Sequence, residues 1–328
     1  MIQRDATALP ALEEALREGN AFIRAQAAEA IGWLGLLSAP AVGTLRKALG
    51  DEDVAVRLKA IWALGRVGPS AGAAFPELEQ ALCEGDAAVS AGAADALGAM
   101  GGEAVPYAQR ALTNDNWRVR QSAALALGIL GADARSAVKA LAHRLNDDKD
   151  DVRYRAVEAL GKIGGKRAVG VLREALGEQK DWIRLHCVEA LGHLGTGAQV
   201  VIEPLKVLLD NEDPFVKQAT ALALWRIGDR DPRIVATFRN TLKDEDEDIR
   251  CEAALSLAEL GTDGADALAS LVSALRDESG EVRAAAASAI AALGSGAKPA
   301  QNALRRALAD SEPLVRKRIA KALESLDG

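Results

Sequence analysis

Apolar and polar positions along the chain fall into blocks that recur about every 33 residues. Each block is dated from a basic residue that follows Val or Ile: Arg24, Arg57, Arg120, Arg153, Arg184, Lys217, Arg250, Arg283 and Arg316. Ser90 takes that place in the third block. The ten positions are 33, 33, 30, 33, 31, 33, 33, 33 and 33 residues apart. Counted from this zero, apolar residues stand at −1, +3, +4, +7 and +10, the 3.6-residue period of a helix with one buried face. Glycine follows at +11 in nine copies, from Gly35 to Gly294, with Asp327 in the tenth. Leucine stands at −8 in all ten copies. A second large apolar residue precedes it by four in nine, as at Leu45, Leu141 and Phe238, which marks another helix.

The pattern predicts two helices per unit. Asn20, Asp53, Asp86, Asn116 and Asp213 stand where a side-chain oxygen caps the second helix. The +11 glycine suits a left-handed C-terminal cap. Pro40 and Pro299 fall in loops or early in the first helix. Small residues such as Ala123, Ala126 and Gly128 allow neighbouring helices to approach closely. One pair of helices cannot bury its apolar stripe, whereas stacked pairs share a continuous core. The expected fold is therefore an all-α, right-handed α-solenoid of about ten two-helix units. They fall near 5–35, 36–68, 69–101, 102–131, 132–164, 165–195, 196–228, 229–261, 262–294 and 295–328, as one array over 1–328.

The "D-x-x-V-R" start and "A-L-G-x-x-G" finish, as in "DEDVAVRLKAIWALGRVG" and "KDDVRYRAVEALGKIG", resemble HEAT repeats. The resemblance is to the short bacterial form named for phycobilisome lyases, and it covers essentially the whole chain. It implies an Asp–Arg ladder tying the loops of successive layers together, and a concave face lined by the second helices. Members of that family include scaffolds, bilin lyase subunits, a di-iron hydroxylase and DNA glycosylases, so the fold alone selects none of these activities. Ser90, with Gly92 and the short 30-residue step, departs from the pattern and predicts a looser layer or a change of curvature.

Composition narrows the function. Only 3% of residues are aromatic, so the core is aliphatic. No run of about 18 apolar residues suggests a membrane span, and "MIQRDATALPALEEALREGN" lacks the apolar centre of a signal peptide. Three cysteines, Cys83, Cys187 and Cys251, make no disulfide framework and fit a cytoplasmic protein. A net charge of −7 with interspersed acids argues against nucleic acid as a partner.

Positions +1, +2, +5 and +9 of the second helix point away from the core and vary between units, so recognition belongs there. They nominate a partner-binding face of Trp33, Trp62, Arg66, Leu125, Ile129, Tyr154, Arg155, Glu158, Lys162, His186, Glu189, His193, Leu222, Arg226 and Leu255. Trp225 joins it in place of the glycine usual at +8. Its large apolar members read either as an interface or as satellite core covered by neighbouring helices. Trp117 and Trp182 stand at the starts of second helices and are expected to pack in loops between units. His186, Glu189 and His193 share one face, but histidines two turns apart stand about 10 Å apart along the axis, so a metal is not expected. No "HE" dipeptide occurs, unlike the di-iron members of the family. Walker A, nucleophile-elbow and Cys-x-x-Cys motifs are absent. "GKIGGKRAVG" is glycine-rich but joins two helices with no strand before it, and no cofactor is expected. The basic last unit, with Arg305, Arg306, Arg316, Lys317, Arg318 and Lys321, reads as a solvated cap or as a surface for an acidic partner.

The leading reading is a non-enzymatic, cytoplasmic scaffold that holds a partner protein in its concave groove. The alternative is a bilin lyase-like or chaperone-like subunit whose Tyr154, Arg155, His186 and Trp225 contact a tetrapyrrole. A DNA glycosylase-like protein comes third, because the groove positions mix acids with bases.

Overall fold

In the computed structural model, residues 6–84, 86–178 and 181–327 are described. Residues 1–5, part of the stretch that lacks a leader-like apolar centre, lie outside them. The described residues form twenty α-helices in ten pairs and no strand. The chain divides into two compact units, Met1–Ala175 and Leu176–Gly328.

In unit 1 the pairs are α1 (Leu9–Glu18) with α2 (Ala21–Leu34), α3 (Val42–Ala48) with α4 (Val54–Val67), and α5 (Phe75–Cys83) with α6 (Ala87–Ala99). They continue with α7 (Val105–Ala111) and α8 (Trp117–Leu130), then α9 (Val138–Arg144) and α10 (Asp150–Ile163), followed by α11 (Gly165–Glu178). Unit 2 holds α12 (Asp181–His193), α13 (Ile202–Leu208), α14 (Pro214–Ile227), α15 (Arg233–Thr241) and α16 (Glu247–Leu260). It ends with α17 (Leu268–Ala274), α18 (Gly280–Ala292), α19 (Gln301–Ala307) and α20 (Pro313–Asp327).

Within each unit, consecutive second helices pack on one another as an inner layer, and first helices pack against that layer. The core is the set of positions the periodicity predicts. In α4, Val56, Ala60, Ile61, Leu64 and Val67 are buried, and Leu45, Leu141 and Phe238 of the first helices are fully enclosed. Asn20, Asp53, Asp86, Asn116 and Asp213 all cap as expected; Asp53 Oδ1 accepts from the Ala55 amide at 2.8 Å.

Two local features differ from the sequence reading. The +11 glycines have positive φ, but most are not left-handed helical. Gly35 lies at φ 61°, ψ −130° and Gly68 at φ 73°, ψ −145°, a region open essentially to glycine alone. Gly228, at φ 106°, ψ 7°, does adopt the left-handed cap. This sharper reversal lets a 3₁₀ turn start at once, as at Gly35–Ala41, Gly68–Ala74 and Gly131–Ala137. Its buried residues are three apart, Ser38 and Ala41, Ala71 and Ala74, Ala134 and Ala137, as three residues per turn require. Pro40 and Pro299 lie inside such turns. The stretch Ala21–Ala48 has the length and mean hydropathy of a membrane span. It is α2, a 3₁₀ turn and α3, reversed at Gly35 and packed among other helices.

The ladder is present, and its two acids divide the work. The acid four residues before zero caps the helix; the one six before zero receives the arginine of the preceding layer. Arg120 donates from Nε and Nη2 to Asp147 at 2.8 and 2.6 Å, and from Nη1 to the carbonyls of Asn114 and Asp115 at 3.0 Å each. Arg24–Asp51, Arg250–Asp277 and Arg283–Asp310 repeat the bidentate fork. At Ser90 the rung is missing and the buried hydroxyl has no partner. α6 still packs on α4 and α8, less densely than most of its counterparts but far more closely than α16 packs on α14, so the loosening there is slight. The loosest junction between consecutive second helices inside either unit is α14–α16.

Asp147 has a side chain only 1% exposed. Burial alone would raise its carboxyl, but the Arg120 hydrogen bonds and the Lys149 amide bring it below the ordinary carboxylate value. Arg250 does the same for Asp277, and for Asp310 the Arg283 hydrogen bond is the leading cause of the lowering. Removing the guanidinium strands a buried anion. Arg120→Ala should therefore cost about 3–5 kcal/mol in urea titrations, and Arg120→Met with Asp147→Leu should recover most of it. Carboxyls held low stabilise the fold above their unfolded value and lose that contribution as pH falls through the folded one. Stability should thus be level from about pH 8 to 5 and drop below about pH 4, measured by denaturant midpoint.

Candidate functional site

The glycine at +8 sets how closely second helices approach. A Cβ on Gly65 would stand 3.1 Å from the Ala96 Cα, one on Gly128 3.2 Å from the Ala159 Cα, and one on Gly192 2.9 Å from the Ala223 Cα. Any larger side chain forces the next helix away. In α14 the residue at +8 is Trp225, and its indole Nε1 donates to Asp263 Oδ2 at 2.7 Å. The Arg230 guanidinium lies 5.3 Å from its ring centre and 3.1 Å from Asp263. At the same junction Lys217 replaces the ladder arginine and makes no bridge to Asp244 among the described residues. One wedge inserted and one tie removed leave α14 and α16 apart.

The gap opens into a cleft of about 520 Å³ between α12, α14 and α16. Leu185, Phe215, Ala219 and Leu222 give it an apolar wall; Glu189, Arg226, Asp248 and Glu252 give it a charged rim, with His193 beside them. Arg226 is already committed: it forks onto Glu259 with two 2.6 Å hydrogen bonds, which raise its own basicity and hold the Glu259 carboxyl below its ordinary value. The rim is therefore acidic on balance. Gln218, 2% exposed, donates from Nε2 to the Ile249 carbonyl at 2.9 Å, and its Oε1 has no partner. A buried acceptor left open favours a ligand that brings a donor. Burial, and next Glu281, push the Cys251 thiol up, which suits a wall residue and not a nucleophile. Burial pushes Cys187 up to about 12.

Of the residues nominated from sequence, Glu189, His193, Leu222 and Arg226 line this cleft. Leu255, 48% exposed, is on α16, and Trp225 is half-buried as the wedge. His186 Nδ1 meets Glu189 Oε2 at 2.9 Å, and Trp182 packs edge-on against His186 with centres 6.2 Å apart. Phe215, Gln218, Asp248, Cys251 and Ser256 were not nominated. Gln218 and Cys251 occupy the outward +1 position, but neither is large or charged; the tryptophan at +8 is the signal for a gap that uncovers them all.

The other nine nominated residues belong to unit 1. Trp33, 57% exposed, meets Trp62 edge-on at 5.2 Å and 66°, and the Arg66 guanidinium lies 6.0 Å from the Trp62 ring. Trp62 and Leu125 are half-buried, whereas Ile129 and Tyr154 are exposed. The apolar set is thus partly surface and partly covered by neighbours. Glu158 accepts from Arg155 at 2.7 Å and from Lys162 at 2.6 Å, and the Arg155 guanidinium also lies 5.6 Å from the Tyr154 ring. These charges satisfy one another on α10.

A family profile of HEAT repeats matches residues 42–127, 75–153, 138–225, 202–291 and 268–328. No protein of curated function matches the chain. Among solved structures, yeast importin-beta (Kap95p) is similar at 14% identity and a TM-score of 0.67, over 96% of this chain and 50% of that one. Kap121p bound to Pho4p is similar at 16% identity and a TM-score of 0.60, over 97% of this chain and 41% of that one. The chain spans half or less of the length of these karyopherins, and the likeness is one of fold.

If Trp225 holds the cleft open, Trp225→Gly should let α16 close on α14. In a Cys83→Ser background, the reaction of Cys251 with a water-soluble thiol reagent should slow several-fold; an unchanged rate would place the control of the gap elsewhere.

Proposed function

Because the chain belongs to the HEAT-repeat family, we propose that it is a protein-binding module that seats an apolar-anchored segment of a partner between α12, α14 and α16. The observation that carries this is the break in an otherwise regular stack. Repetition closes every other second-helix junction inside the units, and here a tryptophan and a lysine replace the residues that close it. The cleft they leave combines an apolar wall, an acidic rim and an open buried acceptor. Leu222 and Phe215 would receive the anchor, and Glu189, Asp248 and Glu252 favour a basic residue beside it, with the Gln218 Oε1 taking a donor. Trp33, Trp62 and Arg66 form a second exposed patch suited to the same kind of contact. The karyopherin bound to Pho4p shares this fold, which supports a protein ligand.

We also place the chain with the short phycobilisome-lyase type of repeat, on its "D-x-x-V-R" and "A-L-G-x-x-G" ends. Three unpaired thiols suit a reducing compartment such as the cytoplasm.

A photo-crosslinker on Cys251, in a Cys83→Ser chain, tests the reading. A discrete protein adduct should form in native extract and weaken at least about tenfold with Leu222→Asp, the effect of losing one hot-spot side chain. Leu222 is half-buried, so the variant should keep its helical circular dichroism. An adduct pattern indifferent to Leu222→Asp would remove the cleft from consideration.

A further inference from the structure

A second, chemically different site lies in unit 1, on the outer layer. The step from the fifth to the sixth repeat is 31 residues, and it omits the 3₁₀ turn that leads into most first helices. Like α15, α11 starts without such a turn; it begins directly at Gly165, whose φ of 77° follows the positive φ of Gly164. This shortcut brings the start of α11 under Arg135: a Cβ on Gly165 would stand 3.9 Å from the Arg135 Nε. Between α9 and α11 runs a groove of about 410 Å³ whose walls carry Arg135, Lys139, Lys166 and Arg167 against a single acid, Glu174.

All four cations are exposed, and none has an ion pair or side-chain hydrogen bond among the described residues. Two other first-helix junctions of unit 1 pair their charges. Arg46 reaches Glu77 at 2.5 Å between α3 and α5, and Arg110 reaches Glu79 at 2.6 Å between α7 and α5. At the register of Arg46 and Glu77, the α9–α11 junction has Ala142 and Val171. A protein of net charge −7 has thus gathered four uncompensated cations into one depression. The free amides at the start of a fourteen-residue helix add to the same potential.

We propose that the α9–α11 groove binds a phosphorylated segment of a partner protein. A phosphate monoester brings nearly two charges and three acceptor oxygens to a compact spot, which matches paired guanidinium forks and helix amides better than single carboxylates do. A long polyanion fits poorly: past the end of α9 it would meet Asp148, Asp150 and Asp151, and Glu174 lines the groove itself. This site belongs to a different unit from the α12–α14–α16 cleft, and the proposal does not rest on that reading.

The test is fluorescence anisotropy of the full chain with a labelled Gly-Ser peptide carrying two phosphoserines, at ~0.1 M salt, where exposed charges act over about 10 Å. The phosphopeptide should bind at least about tenfold more tightly than its unphosphorylated form and than its Glu-substituted form. Arg135→Glu with Lys166→Glu should weaken it at least about tenfold, whereas Arg305→Glu with Arg306→Glu, an equal charge change on α19, should alter it less than about twofold. If the first pair impairs folding, Lys139→Gln with Arg167→Gln serves in its place with a several-fold loss expected. Equal loss in both pairs of variants would overturn the site, as would equal binding of the phosphorylated and plain peptides. Tighter binding of the Glu peptide or of a short DNA duplex would overturn the ligand class.

Discussion

Two helices can share a core of alanine and leucine only if their backbones come nearly into contact, and this limit shapes the whole chain. Alanine offers one methyl group of buried area, so its contribution depends on close approach rather than on bulk. The glycines at +8 permit that approach, and Ala96, Ala159 and Ala223 take up the space they leave. The arginine rungs then fix the spacing at one end of each layer by tying a guanidinium to two carbonyls and a carboxylate. Neither device specifies a fold alone; together they set distance and register at every layer where both occur.

The same limit explains why a site could arise without new architecture. Where one side chain too large for the gap replaces glycine, the neighbouring helix stands off and a cleft appears. The surrounding repeats keep their form because each touches mainly its neighbours. The acid-rich rim of that cleft and the basic groove between α9 and α11 both occur where the repeat departs from its consensus, by substitution in one case and by a two-residue shortening in the other.

Much of this was legible in the sequence because it is written ten times. The helix pairs, the buried stripe of α4 and the caps at Asp53 and Asn116 follow from spacing and side-chain chemistry, and the Arg–Asp ties were implied by the resemblance to HEAT repeats. The 3₁₀ turns escaped because their signal, small residues three apart such as Ala134 and Ala137, is short and polar in between. The backbone of Gly35 escaped because composition reports only that φ is positive, not the ψ that decides between a cap and a reversal. Trp225 was recognisable as an intruder, but its effect depends on the far side of the gap, where Asp248 and Cys251 sit a full repeat later. Ser90 shows the converse: a missing rung alone does not open a junction when Gly98 and its neighbours still fit.

The junction of α14 and α16 also bears on how the protein comes apart. A linear array transmits its cooperativity from layer to layer, so unit 2 is only as unified as its weakest junction. Without the tie at Lys217 and with the backbones held apart by an indole, the second helices of unit 2 from α16 onward form a block that can separate from α12 and α14. The feature that makes room for a guest thereby also marks the fold's own parting line, and a guest bridging it would act as a staple.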